Sequence, residues 1–220
     1  MLKIFSVILI LLSLKCYSEE PVFSFSIFSD NTGDGLERVE FERMVEWIAA
    51  EKNPFVLGMG DHVKKGTNNM FIEFIKSDDW WQKNFYPTIA DNDNEFYGKD
   101  QADWGAGKDL FDLTDIKKRP DVLFRENGSE YYALIGHEGI KIHFISLHYP
   151  DKPKDDSVSF REDSKEFMVE TLKSIVKTGS DIVIVGAHSR LGYWMDKLNP
   201  EQKKAVMEKA DLVLSATTHV

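Results

Sequence analysis

Acidic and imidazole side chains recur just after apolar runs of this chain: Asp30, Asp61, the cluster Asp91-Asn92-Asp93-Asn94-Glu95, His188 and His219. In open α/β sheets, loops at the carboxyl ends of strands present their side chains to one crevice. Carboxylate and amide oxygens suit hard cations, and imidazole suits borderline transition metals. Asp30, Asp61, Asn92, His188 and His219 therefore make a candidate ligand set for Mn, Fe or Zn. Each position alone has a plainer explanation. An acid after a strand commonly caps a helix or forms a turn, and a single histidine is more often part of the packing.

The elements that must position this set follow from periodicity. Residues 22–29 alternate apolar and small polar side chains, which predicts a strand. Leu36, Val39, Met44, Val45 and Ile48 predict a helix over 36–52, ended by Pro54. A buried strand at 55–59 runs into Gly60-Asp61, a helix is expected near 68–76 and a further strand over 85–90. That alternation predicts parallel α/β order. Residues 98–128 are polar and irregular, and read as a long surface excursion. A hairpin is expected from 130–135 and 140–147, then a helix over 162–177, a buried strand at 182–186, a helix at 200–209 and a last strand at 212–215. Trp47, Trp80, Trp81, His137 and His143 are expected to serve packing, and His62 to point away from the strand-end crevice.

With 220 residues, 42% hydrophobic and 29% charged, the chain can bury one sizeable core but is short for two. The net charge of −10, with no basic stripe, argues against a nucleic-acid partner, because phosphate backbones call for clustered Lys and Arg. An acidic protein that handles phosphoesters needs a counter-charge, and bound cations can supply it.

Residues 1–18 read as a leader: Lys3 precedes an apolar run at 4–14, too short to span a bilayer comfortably. Cys16 and Ser18 suit cleavage before Glu19 and soluble export, periplasmic or secreted. The segment Leu12-Ser13-Leu14-Lys15-Cys16 also resembles a loose lipobox, with membrane attachment through a lipidated Cys16. Both routes stay open. Cys16 is the only cysteine, so residues 19–220 form a domain held together without disulfides.

Five segments, in order, resemble the motifs of the calcineurin-like metallophosphoesterases. Phe28-Ser29-Asp30-Asn31-Thr32 is similar to the Asp-x-His motif, and Leu57-Gly58-Met59-Gly60-Asp61 to the Gly-Asp motif. Tyr86-Pro87-Thr88-Ile89-Ala90-Asp91-Asn92-Asp93 stands where the family has its Asn-His-Asp/Glu segment. Residues 182–189 end a buried strand in His188, and residues 212–219 resemble the segment ending in Gly-His-x-His. The resemblance implies an α/β/β/α sandwich, two mixed sheets flanked by helices. It also implies a hydrolase of phosphate mono- or diesters with one or two divalent ions (Mn, Fe, Zn or Mg); the leader makes it an exported, bacterial one. Asp30, Asp61 and His219 would serve one ion and Asp61, Asn92 and His188 the other, with Asn92 and Asp93 in the catalytic segment. The resemblance implies that the ions would activate a hydroxide for in-line attack on phosphorus.

Departures from the family pattern oppose this activity. Thr32 and Thr217 stand where the family has histidines, and Asp91-Asn92-Asp93 holds none. The register of that third segment stays open, because Asn94-Glu95 can align with its end instead. Each ion site would lose an imidazole, so binding is expected to be weak. Asp34, Asp91 or Asp93 could supply oxygens for Mg or Ca, and Lys64 and Lys65 could help hold a phosphate. Relatives usually continue beyond the point matching Val220, so the domain is expected to be shortened at its C-terminus. The alternative function is a catalytically impaired binding module on the same fold, at the surface or in the periplasm. A Rossmann-type nucleotide binder is disfavoured, since no Gly-x-Gly-x-x-Gly follows the first strand.

Overall fold

The computed structural model describes residues 23–29, 38–51, 53–62, 70–90, 93, 110–126, 129–148, 162–188 and 191–216. The first part runs β1 (Ser26–Phe28), α1 (Arg38–Ala50), β2 (Val56–Met59), α2 (Met70–Ser77), α3 (Asp79–Asn84) and β3 (Phe85–Thr88). These three strands form a parallel sheet in the order β1-β2-β3. A 3-10 turn (Ile116–Lys118) then precedes β4 (Val122–Phe124), β5 (Tyr131–His137) and β6 (Ile140–Leu147). The chain continues through α4 (Glu162–Ser174), β7 (Ile182–Ala187), α5 (Leu191–Asp196), α6 (Pro200–Lys209) and β8 (Leu212–Ser215). The second sheet has the order β4-β5-β6-β7-β8, antiparallel from β4 to β6 and parallel from β6 to β8. The protein is thus a mixed α/β structure with two sheets flanked by helices, and among the described residues only the second sheet is mixed.

Alternation along β6 and β7 shows how the second sheet is covered on both faces. Ile142, Phe144 and Ile184 join the core shared with the first sheet, while Ile145, Leu147, Val183, Val185 and Ala187 pack with Met168, Val169, Leu172 and Val206 of α4 and α6. Burial on both faces is why these strands read as continuous apolar runs rather than alternating ones. The sheets approach closely at Gly186, where a Cβ would lie 2.8 Å from Phe144 Cε2 and 2.9 Å from Met59 Cε. Tyr131 Oη donates to Pro87 O at 3.1 Å and Ser146 Oγ to Thr88 Oγ1 at 3.0 Å, so β3 lies over β5 and β6.

Of the excursion expected over 98–128, residues 110–126 are described, and they are not simply a surface loop: Leu110, Phe111 and Ile116 are fully buried, and β4 adds an edge strand to β5. A three-residue strand and a three-residue 3-10 turn are too short to carry a period. Helix α3 also lacked a signal in the sequence. Asp78 caps it by accepting from Trp80 N–H at 2.8 Å, and Trp81 packs against Phe28, Phe71, Phe74 and Phe85. In α1, Val45 and Ile48 are buried as expected, but Val39 is exposed. Asn199 and Gln202 close a reciprocal capping box at the start of α6, with Pro200 in its first turn. No helix among the described residues is long and apolar enough to cross a membrane.

Away from the strand ends, Asp181 fixes the entry to β7. Its carboxylate accepts from Thr178 N–H at 2.8 Å and from the Thr178 hydroxyl at 2.7 Å, and lies 3.4 Å from His143 Nε2, whose Nδ1 meets Tyr132 Oη at 2.8 Å. The Thr178 backbone N–H, then its hydroxyl, hold the Asp181 carboxyl down to about 2, from the usual 3.8. Between those values the unfolded chain binds more protons, so this contribution is full above pH 3.8 and lost as pH falls through about 2. Asp181→Asn should therefore unfold at lower urea than wild type near neutral pH, with the gap narrowing between pH 4 and 2. A gap independent of pH would show that the charge is not what stabilises the turn.

Candidate functional site

The chain leaves β2 through Gly60 and Asp61, both in the left-handed region, at φ 89° and 55°. Glycine adopts that region freely and aspartate tolerates it better than most residues. The position also admits no side chain. A Cβ on Gly60 would lie 2.6 Å from Ala90 Cβ and 2.7 Å from His188 Cβ. Bare backbone at Gly60 is what lets the end of β7 come up against this turn.

Asp93 holds the turn from the other side. Its fully buried carboxylate accepts three backbone N–H groups, from Asp61 at 2.9 Å, His62 at 2.7 Å and Ala90 at 2.9 Å. It thereby ties the end of β2 to the end of β3. His62 folds back over the turn: its Nε2 accepts from Gly60 N–H at 3.1 Å, and its ring packs against Phe28, Phe71 and Phe85. Burial, and next the neighbouring His188, push His62 from the usual 6.5 down to about 3, although Asp61 opposes the shift. His62 is uncharged at ordinary pH, and its ring serves the turn.

His188 follows the last residue of β7 and is fully buried. Its Nδ1 lies 2.7 Å from Met59 O, and a carbonyl can only accept, so Nδ1 carries the proton. Nε2 faces the Asp61 carboxylate, 3.2 Å from Oδ2, and Asp61 is 1% exposed. With Nδ1 committed, a neutral ring would set an Nε2 lone pair against a carboxylate oxygen out of reach of bulk water. The contact is favourable with something between the two atoms: a proton, held by the ring as imidazolium or by the carboxyl, or a cation that both atoms ligate.

The structure thus brings together Asp61 and His188, from the ends of two strands in different sheets. Asp93 stands directly behind them, facing backbone N–H groups. Asp30, Asn92 and His219 lie outside the described residues, as do Thr32, Asp34, Lys64, Lys65, Asp91 and Thr217. Among the described residues, no three His, Cys, Asp or Glu side chains converge as a metal-holding group. The Asp93 clamp was not foreseen in the sequence, because the backbone donors it serves exist only once the turn has formed. His148 was also passed over, although its place one residue past an apolar strand is the same signal that singled out His188. Compared with known proteins, the chain matches no protein-family model and no curated protein.

Proposed function

We propose that this protein is a metal-dependent phosphoesterase of the calcineurin-like type, an α/β/β/α sandwich exported through its leader, with Asp61 and His188 as ligands of a divalent cation. The observation that carries the reading is the aim of His188 Nε2 at the Asp61 carboxylate while Nδ1 is committed to Met59 O. A carboxylate oxygen and an imidazole nitrogen are a donor set that Mn, Fe and Zn accept. Two donors do not complete a coordination shell, and Asp30, Asn92 and His219 are the residues proposed to add to them. A cation bound there supplies charge neutralisation at phosphoryl oxygens and a more acidic bound water.

The chain's own residues do the positioning. Met59 O fixes the tautomer and tilt of His188, much as an outer hydrogen bond orients a ligating histidine. Asp93 fixes the backbone that carries Asp61, and Gly60 leaves room for the two elements to meet. Burial of both donors shields them from bulk water and strengthens the electrostatic interaction between them.

Asp61→Asn and His188→Ala should each lower the affinity for Mn or Zn by more than about 100-fold, read by calorimetry. Hydrolysis of model phosphate mono- and diesters should fall in parallel. If both variants bind the metal as wild type does, the reading is wrong. The binding-module alternative is favoured by a separate observation: the Asp93 carboxylate is engaged by three backbone N–H groups, which is the place of a clamp on the turn rather than of an acid or base aimed at an ester. Metal binding without turnover on any ester would select it.

A further inference from the structure

We propose that His148 is a substrate-contacting residue of the same crevice, its imidazole donating a hydrogen bond to a phosphoryl oxygen of an ester held beside Asp61 and His188. The inference rests on the phosphoesterase reading above and names a contact beyond Asp30, Asp61, Asn92, His188 and His219.

Register places the residue. β6 and β7 are parallel, and their pairing runs to Ser146 with Gly186 and Leu147 with Ala187. The next position in each strand is His148 and His188. Neighbouring strands lie about 5 Å apart, so these two histidines leave the sheet side by side at the same edge. Alternation places the face. Ser146, two residues before His148, points its hydroxyl at Thr88 of the first sheet, and His188 contacts Met59 and Asp61 of that sheet. His148 therefore belongs to the inter-sheet face, beneath the end of β3 as His188 lies beneath the end of β2. It is half-buried, with Nδ1 shielded from solvent, whereas His188 is fully buried. That gradient suits a ligand pair at the floor of a crevice and a second imidazole nearer its mouth, where a bound phosphoryl group projects.

Other histidines do not fit this role by position. His137 ends β5, which runs antiparallel to β6 and so finishes at the opposite edge. His143 is in mid-strand, tied to Tyr132 and Asp181, and His62 is folded onto Gly60 N–H.

The test is calorimetric titration of inorganic phosphate into the Mn-loaded protein and its variants, with Mn affinity measured alongside. His148→Ala should weaken phosphate binding by about 10- to 100-fold, the worth of one hydrogen bond to a charged group, and leave Mn affinity unchanged. His148→Gln keeps an N–H donor and should recover most of the loss. Unchanged phosphate affinity in His148→Ala with Mn still bound would overturn the role of His148 and leave the phosphoesterase reading standing. A wild-type protein that binds neither Mn nor phosphate would overturn both. Loss of Mn along with phosphate in both variants would make His148 a ligand or a packing residue and refute the phosphate contact.

Discussion

Asp93→Ala is expected to destabilise the protein by about 3–5 kcal/mol, a loss at the upper end for a single substitution. Its carboxylate is fully buried and accepts from Asp61, His62 and Ala90 N–H at 2.7–2.9 Å. Alanine leaves those donors without their acceptor in a place that water reaches poorly, at about 1–3 kcal/mol for each unsatisfied group. Partial relaxation and the relief of burying a charge keep the total below the sum of the separate costs. Asp93→Asn keeps one acceptor oxygen but turns an NH2 group toward backbone donors, so it should recover only part of the loss. The effect should reach the site as well. Once the turn loosens, Asp61 loses its set position opposite His188, and divalent-ion affinity should fall though Asp93 touches no ion. Urea denaturation of the two variants, with metal titration of each, checks both statements; wild-type stability in Asp93→Ala would show that the clamp is dispensable.

Gly60→Ala is the second large effect, at about 2–5 kcal/mol from left-handed backbone strain and overpacking together. The new methyl would meet Ala90 Cβ at 2.6 Å and His188 Cβ and Cγ at 2.7 and 2.9 Å. None of these is the far end of a flexible side chain, so relief requires the end of β7 to move off the β2 turn. Gly139 is the control. It has nearly the same conformation, φ 83°, in the turn between β5 and β6, but nothing within 4 Å of where its Cβ would stand. Gly139→Ala should cost only the backbone part, about 1–2 kcal/mol, and leave metal affinity alone. The difference between the two variants measures how tightly the two sheets are apposed at the site. Equal losses would mean that the contact with His188 contributes nothing.

Elements that are long or buried on both faces could be read directly from the sequence. The apolar runs of β2, β6 and β7, the helical spacing of α1 and α4 and the Asn199-Pro200 start of α6 each declare themselves locally. α3, the 3-10 turn and β4 were hidden because each is shorter than the window needed to see a period, and tertiary packing decides them. Trp81 in α3 is helical because the Phe28–Phe71–Phe85 cluster receives it, with Asp78 capping the start. At the site, the strand-end rule put Asp61 and His188 on one list, and the structure sets them 3.2 Å apart. The rule could not reveal what a carboxylate does after the turn has closed. Asp93 sits in the same acidic cluster as the proposed ligands, yet its partners are main-chain donors 31 and 32 residues earlier and one three residues earlier. His148 is the opposite case: it follows an apolar strand as the rule asks, but none of the five motif-like segments includes it.

Zinc titration of protein labelled with 15N at histidine, followed by NMR of the His188 ring, tests the central claim most directly. If Asp61 and His188 share a cation, Nδ1 stays protonated against Met59 O while the Nε2 resonance shifts to that of a metal-bound nitrogen, and Asp61→Asn abolishes the shift. If both ring nitrogens are protonated and zinc changes neither, the pair is an imidazolium–carboxylate bridge and the metal-centre account is contradicted.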